Sequence, residues 1–106
     1  MRLTKFEVNA IINAITYVTK EIKINIYLYG SRLNDNLKGG DIDLLVEVDS
    51  TNDYDFLSLE KYTMLAKIKQ EKAIGDQKVD LSIVQSCKLK TDPFFSTIEK
   101  ILLKTF

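Results

Sequence analysis

Residues 29–47 read YGSRLNDNLKGGDIDLLVE, and the rest of the chain is organised around this stretch. From Asp41 to Val48 every second residue is apolar, which is the period of a strand with one buried face. Asp41 and Asp43 then project together from the other face. Two carboxylates about 7 Å apart along a strand repel each other unless a cation lies between them, and such hard oxygen ligands suit Mg²⁺ or Mn²⁺. The pattern predicts a strand that carries a metal-binding pair.

A second strand is predicted directly upstream. Apolar residues at positions 24, 26 and 28 alternate with other side chains, and the segment leads straight into Gly30 and Ser31. Glycine lets a backbone approach a ligand closely, and Ser31 is a suitable N-cap for a helical turn whose free N–H groups would bind phosphate oxygens. A phosphate cradle thus precedes the acidic pair, which suggests a nucleoside triphosphate and Mg²⁺ held between them.

These residues carry a family resemblance. Gly30-Ser31, nine intervening residues and then Asp-Ile-Asp-Leu at 41–44 resemble the signature of the nucleotidyltransferase superfamily that includes DNA polymerase β. The short length makes the chain most similar to the minimal nucleotidyltransferases, which are often paired with a HEPN-domain protein in prokaryotic toxin–antitoxin modules. That family requires a third carboxylate on a later strand, and Asp80 stands in the expected place. The resemblance spans residues 27 to about 84.

The resemblance implies a set of site residues and a reaction. The residues implied as catalytic and metal-binding, with two Mg²⁺ ions, are Asp41, Asp43 and Asp80, and those implied as nucleotide-binding are Gly30, Ser31 and Arg32. The reaction would transfer AMP from ATP to a hydroxyl group and release pyrophosphate, with Asp80 helping to deprotonate that hydroxyl. Lys38 is a further basic residue that could contact the triphosphate. Gly40 departs from the serine often found before the first aspartate of the family.

Three interpretations compete for the acceptor. As the antitoxin of a HEPN toxin, the enzyme would transfer AMP to a protein hydroxyl of its partner, most simply a tyrosine. As an enzyme of the aminoglycoside nucleotidyltransferase kind, it would need an acceptor-binding domain that 106 residues do not contain. As a non-catalytic antitoxin, it would neutralise its partner by contact alone, although such a module would be free to lose its carboxylates.

Composition narrows the possible functions. Fifteen basic and fifteen acidic residues cancel, which argues against direct nucleic-acid binding as the main task. The sequence has no histidine, which excludes the usual general base of serine hydrolases. Its single cysteine, Cys87, excludes a disulfide framework and a cysteine-based zinc site. No apolar run reaches the length of a membrane span and Met1 to Thr4 lack the apolar core of a signal peptide, so we expect a cytoplasmic protein.

Outside the central stretch the sequence predicts three helices and one more strand. Thr4 and Glu7 form a capping box for a helix that continues to about residue 22, and a second helix is predicted over 54–72 after a turn at 49–53. Residues 78–84 have strand periodicity, and Asp92-Pro93 predicts a last helix over 94–106. The apolar residues of that last segment exceed one stripe. This suggests either an interface for a homodimer or for the HEPN partner, or a helix that is buried on two sides between the sheet and the first helix.

The predicted elements define a fold class. Each strand has one apolar face, so helices are expected mainly on one side of a small sheet, with the carboxylates on the open side. We therefore expect a single domain over residues 1–106 with a two-layer α+β fold, and the resemblance implies the mixed, palm-like sheet of polymerase β.

Overall fold

The computed structural model describes residues 3–33 and 40–106; the side chain of Ser31 and all of Lys38 lie outside the described part. Within these residues the helices and strands are, in chain order, α1 (Lys5–Thr19), β1 (Ile24–Tyr29), β2 (Ile42–Val48), α2 (Thr51–Leu59), α3 (Lys61–Gln70), β3 (Val79–Gln85), α4 (Ser86–Thr91) and β4 (Lys100–Thr105). A 3-10 turn, Gly30–Leu33, directly follows β1.

The strands form one mixed sheet in the order β3-β2-β1-β4. β1 is antiparallel to both β2 and β4, whereas β2 and β3, which are separated by the two helices α2 and α3, run parallel. This sheet with its helices confirms the predicted α+β class. The strands predicted at 24–29, 41–48 and 78–84 are each present to within one residue.

The first helix begins where its capping box predicts. The Thr4 hydroxyl accepts a hydrogen bond from the Glu7 amide at 3.0 Å, and the Glu7 carboxylate accepts one from the Thr4 amide at 2.8 Å. The helix ends at Thr19, earlier than expected, because Lys20 takes a φ of +53° that breaks the helical path.

The helix predicted over 54–72 is two helices that meet at Glu60. Ser50 caps α2 by accepting a hydrogen bond from the Asp53 amide at 3.1 Å, so the segment expected to be a turn already contains the first residues of a helix. The Glu60 amide donates to both Phe56 and Leu57 carbonyls at 3.1 Å, and α3 starts at the next residue. The break lets both short helices pack against the sheet.

The helix predicted over 94–106 is wrong. Asp92 does cap a turn, since its carboxylate accepts hydrogen bonds from the amides of Phe94 at 2.9 Å and Phe95 at 3.2 Å. The turn does not continue as a helix: Thr97 donates its hydroxyl to the Pro93 carbonyl at 2.8 Å, and the chain then extends as β4. β4 satisfies the edge of β1 by backbone hydrogen bonds, which a helix could not do. Residues 100–105 therefore do not form the helical surface on which an interface was expected.

The core lies between the sheet and the first three helices. It contains buried apolar residues of α1 such as Ile11 and Ile15, the even-numbered residues of β1 and β2, and Met64 and Ile68 of α3. The opposite face is less open than predicted: Leu45 is fully buried there under Leu89 of α4, together with Val84. The part of this face near the start of β2 and β3 stays accessible, since Asp43 and Asp80 both line a cleft there.

The described helices differ in length or hydropathy from a membrane-spanning helix. None of those in residues 3–33 and 40–106 is both long and apolar enough to span a bilayer.

Candidate active site

Three neighbouring strands place one row of polar side chains on the accessible part of the sheet. Across the antiparallel pair, Tyr29 at the end of β1 lies opposite Asp43 of β2, and across the parallel pair Asp43 lies opposite Asp80 of β3. Neighbouring strands are about 4.8 Å apart, so the two aspartates, 37 positions apart in sequence, stand side by side. The parallel register alone makes them neighbours.

The pKa of Asp43 is set by burial and by the neighbouring carboxylates. Burial raises the pKa of Asp43, the charges of Asp80 and Asp41 raise it further, and so does a hydrogen bond with the Asp80 carboxyl group. The charge of Lys78 acts in the opposite direction but does not cancel these effects. Such a pair of carboxylates is stable in its charged form only when a cation is close.

Gly30 brings the backbone of the 3-10 turn against this pair. Its φ is +79°, and a Cβ added there would overlap Asp43 Oδ2 and lie 3.2 Å from Asp43 Cγ. A side chain at this position would therefore displace the Asp43 carboxylate. The glycine predicted from the sequence to allow close approach of a ligand also allows close approach of the turn to an acidic residue.

Asp41 lies just before β2 and belongs to the same site. Its Oδ2 atom is 3.7 Å from Lys78 Nζ, and the neighbouring Ile42 amide donates to the Lys78 carbonyl at 2.9 Å. Within residues 3–33 and 40–106, no three Asp, Glu, His or Cys side chains are grouped so as to hold a metal ion. The structure thus brings Asp43 and Asp80 together and leaves Asp41 paired with Lys78.

The donor set nevertheless fits a hard divalent cation. Asp43 and Asp80 offer adjacent carboxylate oxygens whose repulsion is uncompensated, which is the chemistry that Mg²⁺ satisfies. Asp41 is the nearby carboxylate that would add further oxygens. Mg²⁺ bound there would offset negative charge on these residues and on phosphate oxygens.

Arg32 was predicted to bind nucleotide, and the structure gives it partners within the protein. Its Nη2 donates to Gln77 Oε1 at 2.6 Å, and its Nε donates to the Gly40 carbonyl at 3.3 Å. Gln77 in turn donates to Glu7 Oε2 at 2.8 Å. Arg32 therefore ties the 3-10 turn, the start of β2 and the first turn of α1 together, a role that no local pattern in the sequence indicates.

Glu7 at the end of this network predicts a pH dependence of stability. Burial raises its pKa, but hydrogen bonds from Thr4 and Gln77 and the charge of Arg32 outweigh that effect, so its pKa is lowered. A lowered pKa means that the stabilisation is present above the unfolded-state pKa and is lost as the pH falls through the folded-state pKa. The wild type should lose this stability on acidification.

Replacing Glu7 by Gln should cost about 1 kcal/mol of unfolding free energy near neutral pH and should flatten the loss at acidic pH. Urea denaturation at both pH values measures this. Glu21→Gln, at an exposed glutamate just beyond the same helix, is the matched control. If Glu7→Gln and wild type lost equal stability on acidification, the network would not be the source.

Glu47 shares the face of Asp43 but does not belong to the site. Its carboxylate accepts hydrogen bonds from Asn25 Nδ2 at 2.9 Å and from the Tyr27 hydroxyl at 3.1 Å. Burial raises the pKa of Glu47, but hydrogen bonds from Asn25, Ser86 and Tyr27 lower it more. Glu47 is therefore held by hydrogen bonds within the protein and is a structural residue.

The structure adds residues that sequence reasoning missed. A cleft of about 440 Å³ at the β3 edge contains Asp43 and Asp80 on one side and Lys61, Tyr62 and Leu65 of α3 on the other. The sequence pattern over 54–72 predicts a helix and gives no direct indication of a site. The one sequence signal was Tyr62, a large aromatic residue outside the apolar period set by the buried Met64 and Ile68.

A palm-like mixed sheet, a glycine turn and a carboxylate pair on adjacent strands define a nucleotidyl-transferring class of domain. Residues 11–103 match the nucleotidyltransferase domain family, and because this match covers most of the 106 residues, the chain belongs to that family. No curated protein and no solved structure matches the chain. The chain is a nucleotidyltransferase domain, as its motif predicts.

Proposed function

We propose that this nucleotidyltransferase is Mg²⁺-dependent and transfers AMP from ATP to a protein hydroxyl group of a HEPN-domain toxin, for which it is the antitoxin. The observation that supports this most is the juxtaposition of Asp43 and Asp80 beside Gly30. The resemblance of the short chain to minimal nucleotidyltransferases supports the partner and the nucleotide. The balance of fifteen basic and fifteen acidic residues favours a protein acceptor over a nucleic acid.

The proposed reaction is an in-line displacement at the α-phosphorus of ATP. The acceptor oxygen forms a bond to that phosphorus, the bond to the bridging oxygen breaks, and pyrophosphate leaves. Asp80 accepts the proton of the attacking hydroxyl, and Asp41, Asp43 and Asp80 would hold the Mg²⁺, which offsets charge on the attacking and leaving oxygens. Gly30 and the N–H groups of the following turn bind the phosphates.

Labelled ATP tests this proposal. The full chain is incubated with Mg²⁺ and cell lysate, or with a HEPN protein encoded beside it, and with ATP labelled at the α- or at the γ-phosphate. We expect a protein to acquire the α-label but not the γ-label. Competition with unlabelled GTP, CTP and UTP measures the base preference.

Two controls separate the alternatives. Asp43→Asn should abolish labelling, and a γ-label on protein would overturn the proposed reaction because it would indicate phosphate transfer. Labelling of a small molecule instead of a protein would favour the aminoglycoside-type alternative. An Asp43→Asn variant that still neutralises the toxin would favour a non-catalytic antitoxin.

A further inference from the structure

The cleft that contains the carboxylates has a second wall, which the reaction described above does not use. Its volume of about 440 Å³ is within the range of small-ligand sites. Asp43 and Asp80 lie on the sheet side, and Lys61, Tyr62 and Leu65 lie on the α3 side. A nucleotide whose phosphates lie beside the carboxylates would therefore have α3 on the other side of the same cleft.

Helix α3 packs on the core and also borders the cleft, and Leu65 contributes to both. Met64 and Ile68 are fully buried and hold the helix on the sheet. Tyr62 and Leu65, three positions apart and hence on one face, both line the cleft. Tyr62 is 77% exposed, so the core does not require an aromatic side chain there.

The chemistry of this wall matches a nucleotide. An exposed aromatic ring beside an apolar side chain is a stacking surface for a base, and stacking tolerates any base because each has a π face. Lys61 is half-buried, lines the same cleft and has its Nζ 6.0 Å from the centre of the Tyr62 ring. Its ammonium group supplies positive charge opposite the two carboxylates, where phosphate oxygens need it.

We propose that Lys61 and Tyr62 form the nucleotide-binding wall of this cleft, with the Tyr62 ring stacked on the base and the Lys61 ammonium group bound to a phosphate of the same nucleotide. The inference rests on the proposed function, since it takes the ligand to be a nucleoside triphosphate. It adds two nucleotide-binding residues from a helix outside the Gly-Ser and Asp-x-Asp motif.

Calorimetric titration with two ligands tests the proposal. Mg²⁺-ATP has a base, whereas Mg²⁺-tripolyphosphate has none. Tyr62→Ala should weaken Mg²⁺-ATP binding about 5- to 100-fold and leave tripolyphosphate binding unchanged, whereas Tyr62→Phe should retain ATP binding. Lys61→Gln should weaken both ligands. Thermal unfolding checks that each variant is folded, as the exposure of Tyr62 leads us to expect.

The chain offers a matched control. Tyr17 on α1 is 65% exposed, and Lys67 Nζ lies 3.9 Å from its ring centre, yet neither residue lines the cleft. Tyr17→Ala and Lys67→Gln should change neither affinity. Because the chain contains no tryptophan, Tyr62→Trp also provides a unique fluorophore, which Mg²⁺-ATP should quench while Tyr17→Trp stays unaffected.

The outcomes separate this inference from the proposed function. If wild type binds Mg²⁺-ATP and Tyr62→Ala binds it equally well, the base does not stack on Tyr62 and the inference is overturned although the proposed function stands. If Tyr62→Ala weakens ATP and tripolyphosphate equally, the wall does not recognise the base, and the inference is again overturned. A folded wild type that binds neither ligand would overturn both.

Discussion

Replacing Asp43 by Asn is expected to reduce nucleotidyl transfer by at least about 10³-fold, because the carboxylate is one of the two that the parallel register places side by side. The same change should leave the fold intact, since Asp43 is on the accessible side of the sheet and its neighbour Asp80 repels it. Without added metal, the unfolding free energy should stay constant or rise by up to about 1 kcal/mol. Loss of function with retained stability is the signature of a ligand-binding carboxylate.

The sign of this stability effect follows from the pKa of Asp43. Folding raises that pKa, so the folded state holds the proton more tightly than the unfolded state does. The ionised carboxylate therefore destabilises the fold increasingly as the pH rises from the unfolded-state pKa through the folded-state pKa, and fully above it. The side-chain amide of the Asp43→Asn variant has no charge, so the stability of this variant should show less of this decrease.

Thermal unfolding with and without Mg²⁺ measures both effects. Mg²⁺ should raise the melting temperature of wild type, because it binds the folded state, and should raise that of Asp43→Asn less. Asp55→Asn, at an exposed aspartate of α2, makes the same chemical change outside the site and should behave as wild type. A destabilised Asp43→Asn variant that remained active would assign the carboxylate a structural role instead.

Replacing Gly30 by Ala should be the most damaging single change to the fold at this site. Alanine at this position would have to adopt a φ of +79°, which residues with a side chain rarely do. Its Cβ would also overlap the Asp43 carboxylate. The backbone conformation alone costs about 1 kcal/mol or somewhat more, and the overlap raises the expected loss of unfolding free energy to about 2–4 kcal/mol. Transfer should be lost as well, because Asp43 must move.

Two controls separate these contributions. Gly75 also has a positive φ, of +57°, but an added Cβ would meet nothing nearer than the Lys72 carbonyl at 3.9 Å. Gly75→Ala should therefore cost only the backbone term, about 1 kcal/mol. In an Asp43→Ala background, where the overlapping atoms are absent, the cost of Gly30→Ala should fall to a similar value.

Chemical denaturation of wild type, both single variants and the double variant gives the coupling energy between Gly30 and Asp43. A coupling near zero would show that the turn and the carboxylate do not constrain each other. Phosphate binding by the turn would then be tested only by the affinity of the Gly30 variants for nucleotide.

Features that depend on a local pattern of residues could be predicted from the sequence. Alternation over 24–29, 41–48 and 78–84 predicted three strands of the sheet, the capping box of Thr4 and Glu7 predicted the start of α1, and the spacing from Gly30 to Asp43 predicted the family. Each of these patterns lies within a short segment of the chain, so it can be recognised without knowing the fold. The α+β class followed from the single apolar face of each strand.

Features that depend on partners distant in sequence are visible only in the folded chain. Asp92-Pro93 began a turn as predicted, yet residues 100–105 became β4 because the free edge of β1 offered backbone hydrogen bonds. The parallel register placed Asp80 beside Asp43, and the contact of Arg32 with Gln77 crosses 45 positions. Pairing of strands and docking of helices are non-local, so no window of sequence contains them, and the same holds for the placement of Tyr62 at the cleft.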